Sequence, residues 1–393
     1  MLIKEKVEQA KKLLKEFDVD CWITFVRESQ INGDPTLAFL SPADVTWHSA
    51  FIISKDGKAH AIVGKYDQKT IEETGAYYEV IGFVEGIKEP FQSYMKTLNP
   101  KNIALNFSEG SEIADGITYG MYLTLFNLLD ELGMSDRIIS AERVVSALRE
   151  RKSQTEINYI KEAIIITEEI FNEVTKFIKP EKTEIEIAGF VKSEVEKRNL
   201  EFAWEPLVCP AVFTGPETAG AHYAPTDRKV EKGQILNMDF GVKYKSYCSD
   251  MQRTFYILKD DETKAPEDVM KGFHTIVDSI EKSKQAMKPG VQAVEIDAIA
   301  RKIVTQNGYD EFPHGLGHQV GRFSHDGTAL LGPPWEKYAQ KPFKKLEENM
   351  VFTIEPRLNV PDRGTATVEE MVRIIPDGTE WLTNQQKEII LIK

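Results

Sequence analysis

Cysteine is scarce in this chain: Cys21, Cys209 and Cys248 are the only three in 393 residues. They are widely spaced, odd in number and never arranged as Cys-x-x-Cys. That excludes a disulfide-stapled scaffold and a thiolate zinc site, and suits free thiols in a reducing compartment. Long apolar runs are also missing, and none approaches the roughly 20 residues needed to span a bilayer. The opening segment MLIKEKVEQAKKLLKEF places Val7, Ala10, Leu13 and Leu14 at helical spacing. It lacks the continuous apolar stretch and small-residue cleavage site of a secretion signal, so a cytoplasmic location is expected. Positive charge is in deficit, with 62 acidic against 49 basic residues and a net charge of −13. Nucleic acid and anionic membranes are therefore not expected as partners. No phosphate-binding glycine loop, dinucleotide fingerprint, solenoid repeat or low-complexity tract is present.

What is there is an ordinary globular composition, 41% hydrophobic and 28% charged, on a chain long enough for two domains. Residues 1–149 alternate short β-branched or aromatic runs with amphipathic ones. Strands are predicted at Cys21–Val26, Ser49–Ser54, Ala59–Val63, Tyr78–Ile81 and Ile103–Asn106, and helices at Lys4–Phe17, Tyr66–Thr74, Glu89–Leu98 and Gly120–Leu132. Asp56-Gly57 is a hairpin turn between the second and third strands. This reads as an α/β domain with a structural role. Ser153 and Glu156 have the spacing of a capping box and open a helix running to Ile178, which sets a domain boundary near 150. Residues 150–393 then alternate helices with hairpins. An α+β domain is expected, its helices covering one face of a curved antiparallel sheet.

The chemistry concentrates in those hairpins. In ILNMDFGVKYKSYCSDMQRTFYIL, a turn centred on Tyr244-Lys245 sets Asp239 opposite Asp250. In ENMVFTIEPRLNVPDRGTATVEEMVRII, a turn about Asp362 sets Glu355 opposite Glu369, and a slip of one residue would substitute Glu370. Like charges directly opposed on one sheet face are destabilising, and a bound cation reverses that penalty. For one isolated pair, a solvated charged face is the ordinary explanation. Two pairs beside a histidine cluster make it a weaker one. The cluster is FPHGLGHQVGRFSHDG, with His314, His318 and His325. Gly315 and Gly317 argue against a helical His-x-x-x-His site, and no Glu follows His314, so an extended segment feeding imidazoles into a site is expected. An oxygen-rich donor set with one imidazole suits manganese, cobalt, iron or zinc.

These motifs resemble the metal-dependent branch of the pita-bread peptidases, the group of Xaa-Pro aminopeptidases, prolidases and methionine aminopeptidases. The segments that carry the likeness are DFGVKYKSYCSDMQRTF, HGLGHQVGRFSHDG, FTIEP, a late VEE, and AHYAPTDRKVEKGQIL before the first aspartate. The likeness runs from about residue 150 to the end, behind a domain of creatinase/prolidase type. It implies two divalent cations, manganese first, held by Asp239, Asp250, His318, Glu355 and Glu369, with Asp250 and Glu369 bridging. It prefers Glu369 to Glu370. It further implies that Glu355 moves protons, that His222 and His325 face the substrate with a catalytic role, and that His314 lines the same wall. The implied substrate is a peptide or dipeptide cleaved at an Xaa-Pro bond, and the implied assembly is a homodimer. Two departures stand out: Arg357 where glycine is common after Glu-Pro, and Thr367 where many members carry arginine. Arg357 is thereby a candidate partner for a substrate carboxylate. Phe213, Tyr223, Phe323 and Trp335 are candidate walls for a proline ring. The competing expectations are a creatinase-like hydrolase of a small C–N substrate and a non-catalytic binding module on the same fold.

Overall fold

The computed structural model describes residues 2–216 and 224–393, which divide into two compact units, Met1–Arg149 and Glu150–Lys393. Among the described residues, no helix is long and apolar enough to cross a membrane.

The first unit contains helix α1 (Leu2–Glu16) and strands β1 (Cys21–Val26), β2 (Ser49–Ser54) and β3 (Ala59–Gly64). It continues with α2 (Gln68–Glu72), β4 (Glu79–Phe83), α3 (Lys88–Leu98), β5 (Ile103–Leu105), α4 (Tyr119–Asp130), β6 (Ile138–Ser140) and α5, which starts at Glu142 and ends at Glu150. The strands form one mixed sheet in the order β4-β3-β2-β1-β5-β6. Its central strand β1 is buried throughout, because both faces are covered. Trp22 and Val26 pack with Val7, Leu13 and Val145, whereas Ile23 and Phe25 pack with Phe91, Met95 and Leu125. The β2–β3 turn uses Gly57 at φ +93°, where a side chain would be strained. The three-residue edge strand β6 is absent from the sequence reading, since so short and half-exposed a run carries no alternation to detect.

In the second unit, α6 (Gln154–Phe177) opens on the expected capping box. Ser153 Oγ accepts from the Glu156 N–H at 3.3 Å, and the Ser153 N–H donates to Glu156 Oε2 at 2.7 Å. There follow α7 (Glu184–Lys197), β7 (Glu201–Phe202), β8 (Ala211–Thr214), β9 (Ile235–Phe240), β10 (Val242–Tyr244), β11 (Tyr247–Cys248) and β12 (Met251–Ile257). Next come α8 (Glu267–Ala286), α9 (Ala293–Gln306), β13 (Gly317–His318) and β14 (Leu330–Leu331). The unit ends with β15 (Val351–Ile354), β16 (Arg357–Val360), β17 (Gly364–Thr367), β18 (Glu370–Ile375), β19 (Gly378–Trp381) and β20 (Ile390–Ile392). Pairing is antiparallel except for β20, which lies parallel to β12. The strands are divided among several small sheets, with breaks where the hairpins bend.

The two hairpins differ in how well their residue order announces their pairing. In the second, Ile354 faces Glu370 and Arg357 faces Thr367, so the same register carries across the break and sets Glu355 against Glu369, as expected. In the first, the turn is Lys245-Ser246, both in the left-handed region at φ 48° and 66°, not Tyr244-Lys245. The residue facing Asp239 is therefore Gln252, not Asp250. This corrects the sequence expectation. A two-residue turn of this hand is normally marked by Asn-Gly or a similar pair, and neither residue here gives that signal.

Helices α8 and α9 back the second hairpin. Phe273, Ile276, Ile296 and Ala300 share a core with Phe352, Ile354, Leu358, Val360, Ala366, Val368 and Val372. By strand alternation, Thr353, Glu355, Arg357, Thr365, Thr367 and Glu369 face the other way. Gly317 lies so close beneath β15 that a Cβ there would overlap the Thr353 carbonyl. Gly317→Ala is expected to cost about 1–3 kcal/mol of stability and to displace the neighbouring His318. Chemical denaturation reads this as a lower midpoint, and an unchanged midpoint would show that the backbones are not held this close.

Candidate metal centre

Asp250, Glu355 and Glu369 sit where ladders break, whereas Asp239 is still paired, with Gln252 on one side and Ala211 on the other. Asp239 is the penultimate residue of β9, Asp250 separates β11 from β12, Glu355 separates β15 from β16, and Glu369 separates β17 from β18. At such an interruption the backbone is held by partners outside the ladder. The Glu355 N–H donates to the Leu316 carbonyl at 2.7 Å, and the Glu369 N–H to the Gln252 carbonyl at 3.2 Å. The short strand β13 brings His318 alongside, where its own N–H donates to Thr353 Oγ1 at 3.1 Å.

These groups converge. Ligand atoms of Asp250, His318 and Glu369 all lie within 4.8 Å of one another. His318 Nε2 is 3.8 Å from Asp250 Oδ2 and 3.3 Å from Glu355 Oε1. Burial, reinforced by the charges of Asp250 and Glu355, pushes the Asp239 carboxyl well above its usual range. Burial and the charges of Asp250, Glu355 and Asp239 do the same to Glu369. Asp250 is pushed up to about 7 by burial against the opposing pull of His318. Burial works against a charged His318, but its hydrogen bond to Glu355 and the charges of Glu355 and Asp250 outweigh this and leave it at about 8. Burial likewise opposes a charged Glu355, yet His318, followed by His314 and His325, holds that carboxyl below its ordinary value. Among the described residues, Asp239 Oδ1 and Glu369 Oε2 are buried without a hydrogen-bond partner. Buried acceptors are nearly always satisfied, so two orphaned carboxylate oxygens facing a cluster of like charge are what a cation site requires.

The remaining sequence-predicted residues divide clearly. His325 is exposed, and its ring lies against His318 at 4.1 Å between centroids, tilted by 58°. His314 is close enough for its charge to act on Glu355, and its Nδ1 lies 2.8 Å from the Gly315 carbonyl. His222 and Tyr223 lie outside the described residues. Glu370 is not in the cluster. It takes Arg253 at 3.3 Å, the Thr383 hydroxyl at 2.5 Å and the Gln386 N–H at 2.7 Å, which removes the alternative that spacing left open. Phe213 packs under the Arg357 guanidinium at 5.7 Å. Trp335 instead stacks on Tyr338, and Phe323 lines a separate cleft with Phe202 and Trp204. Sequence reading missed Gln252, whose amide donates to Glu355 Oε2 at 3.2 Å while its Oε1 accepts from Thr367 Oγ1 at 3.2 Å. The correct first-hairpin register, with Gln252 across from Asp239, would have found it. All three cysteines are buried and unpaired, and burial raises each thiol.

A profile of metallopeptidase family M24 matches residues 158–376, more than half of the chain and all five candidate ligands. The chain belongs to metallopeptidase family M24. Its catalytic unit has the pita-bread fold, and peptides are its substrate class. It is 26% identical over 340 residues to an uncharacterised peptidase of Staphylococcus aureus strain MRSA252, covering 86% of this chain and 88% of that one. Among solved structures, it resembles an Xaa-Pro dipeptidase from Bacillus anthracis with a TM-score of 0.74 at 22% identity, over 99% of this chain and 100% of that one. It also resembles an X-Pro aminopeptidase from Thermotoga maritima MSB8 with a TM-score of 0.75 at 24% identity, over 98% and 100%.

For this M24 peptidase stripped of metal, the cluster sets the pH dependence of stability. Asp239, Asp250 and Glu369 hold a proton more tightly folded than unfolded, so their contribution is lost as pH rises, for Asp250 between 3.8 and about 7. The His318 contribution is complete below 6.5 and lost as pH rises through about 8. Glu355 has the opposite sign: its contribution is present above 4.5 and lost as pH falls below that value. The melting temperature of chelator-treated protein is therefore expected to fall between about pH 5 and pH 8, and added Mn²⁺ to raise it more at the higher pH. A flat chelated profile with no response to cation would contradict the site.

Proposed function

We propose that this chain hydrolyses the Xaa-Pro bond, in dipeptides or at the N-terminus of peptides, with two divalent cations held by Asp239, Asp250, His318, Glu355 and Glu369. The observation that carries the reading is the convergence of four carboxylates on one imidazole with two buried carboxylate oxygens unsatisfied. The donor set, oxygen-rich with a single nitrogen, suits manganese, cobalt, iron or zinc, and the family likeness puts manganese first. The Xaa-Pro specificity of the solved structures with this fold supports the substrate class.

Bound there, the cations supply Lewis acidity toward a water molecule and the scissile carbonyl. The side chains do the rest. Glu355, kept ionised by His318 and oriented by Gln252, accepts the proton of the attacking water and passes it to the leaving nitrogen. That transfer matters because the scissile nitrogen is part of proline's ring, carries no N–H and leaves poorly without a proton. His325, against His318 and open to solvent, donates to the oxygen on which charge develops. His222 is assigned the same substrate-facing role from the sequence likeness. His314 lines the wall beside them, and Arg357, over the buried Phe213 ring, borders the pocket. The buried, unpaired thiols support a reducing, cytoplasmic setting, and the family likeness supports a homodimer.

Glu355→Gln is expected to lower kcat/KM on an Xaa-Pro dipeptide by about 10²–10⁴-fold with an unchanged circular dichroism spectrum. His318→Ala is expected to lose bound metal by elemental analysis as well as activity. Near-normal turnover in either folded variant, or wild-type protein that cleaves no Xaa-Pro substrate at any metal loading, would rule the proposal out.

A further inference from the structure

We infer that Asp297 and Arg301, a buried ion pair on α9, are positioning residues for the hydrolysis: they hold the segment 312–316 and, through it, the backbone of Glu355. The inference rests on the Xaa-Pro reading above, in which Glu355 moves the proton. It goes beyond that reading by giving a part in the reaction to two residues outside the metal cluster.

Residues 312–316 lie between α9 and β13 and belong to no helix or strand. Their buried backbone groups therefore need partners that no ladder supplies. Helix α9 supplies them. Arg301 Nη1 donates to the Phe312 carbonyl at 2.7 Å, and Nη2 donates to the His314 carbonyl. The other edge of the guanidinium is taken by Asp297, one helical turn away, from Nε at 2.6 Å and from Nη2 at 3.2 Å. Asp297 Oδ1 also accepts the Leu316 N–H at 3.0 Å. The Leu316 carbonyl in turn accepts the Glu355 N–H at 2.7 Å. A single residue, Leu316, thus links the Asp297 carboxylate to the backbone of the proton-transfer group. Arg301 meanwhile holds the carbonyl of His314, whose charge acts on the same Glu355.

Stability alone is a poor reason for such a pair. Desolvation consumes most of the attraction of a buried ion pair, so apolar side chains of the same volume would hold α9 in the core as well. What the pair supplies is direction, because a planar fork can bind two carbonyls and a carboxylate at once only in one geometry. The Phe312 and Trp335 ring centroids lie 4.1 and 4.9 Å from the guanidinium carbon and restrict its plane further. Tyr338, stacked on Trp335, accepts the Gly315 N–H at 3.1 Å. The segment is therefore tied at four successive points of its backbone before it reaches His318.

Two variants test this on the full chain. Arg301→Lys keeps the charge and gives up the fork, whereas Asp297→Asn keeps an oxygen for Leu316 and gives up the charge. In metal-free protein, amide hydrogen exchange followed by NMR is expected to speed up about tenfold or more at Leu316 and Glu355 in both variants, while Phe273 and Ile276 of α8 keep their rates. In Mn²⁺-loaded enzyme, Arg301→Lys is expected to lower kcat on an Xaa-Pro dipeptide about 10–100-fold with KM changed less than about threefold. Placed on top of Glu355→Gln, the same substitution should cost less than about twofold more, because the group it positions no longer transfers the proton. A merely structural role predicts otherwise. Exchange that rises equally in α8, or a loss in kcat that multiplies undiminished with Glu355→Gln, would make the pair a general brace and overturn the assignment. Wild-type exchange at Leu316 and Glu355 in both variants would overturn it as well. If wild type cleaves no Xaa-Pro substrate, the Xaa-Pro reading fails, and the exchange rates still decide whether the pair holds Glu355.

Discussion

Repulsion among four buried carboxylates is the constraint around which the catalytic unit is organised. Asp239, Asp250, Glu355 and Glu369 raise one another's protonation or depend on His318 to offset it, and two of their oxygens are buried with no partner. Such a cluster is costly to fold in the absence of positive charge. The rest of the unit can be understood as scaffolding that holds this arrangement against its own tendency to spread. Helices α8 and α9 fasten one face of the second hairpin, and a side-chain chain from Thr367 through Gln252 to Glu355 fixes the acid on the other.

Placement of Asp250, Glu355 and Glu369 at ladder breaks follows from the same requirement. Within a regular strand, a side chain points perpendicular to the sheet and its neighbours diverge to opposite faces. Where pairing pauses, the backbone can turn several carboxylates toward one point, provided its own N–H groups find partners. They do: Leu316 and Gln252 supply carbonyls to Glu355 and Glu369, and Met371 Sδ accepts from the Asp250 N–H at 3.3 Å. Close approach of β13, possible because residue 317 is glycine, then brings His318 within reach.

Legibility differed between the two hairpins for a physical reason. The segment Pro361-Asp362-Arg363-Gly364 marks its own turn, so the register that opposes Glu355 to Glu369 could be read directly. Lys245-Ser246 adopts left-handed backbone without glycine or asparagine, stabilised by surrounding pairing, and the register of Asp239 was misread by two positions. The misreading kept the same face, because a shift of two preserves side-chain direction, and so it named an aspartate that lies in the cluster while hiding Gln252. Glu370 shows the reverse case. Adjacent to Glu369 and chemically identical, it is separated from the cluster only by strand alternation and by Arg253 on the other side of the sheet.

Residue order alone was enough to establish the kind of fold and an inventory of acids and imidazoles suited to a metal, because turn signals, alternation and donor chemistry are local properties. What required three dimensions was which oxygens remain unsatisfied, which of two neighbouring glutamates joins the cluster, and that Arg357 and Phe213 meet on the face of Glu355. Those depend on contacts between segments far apart along the chain, and no local pattern encodes a distance that only packing creates.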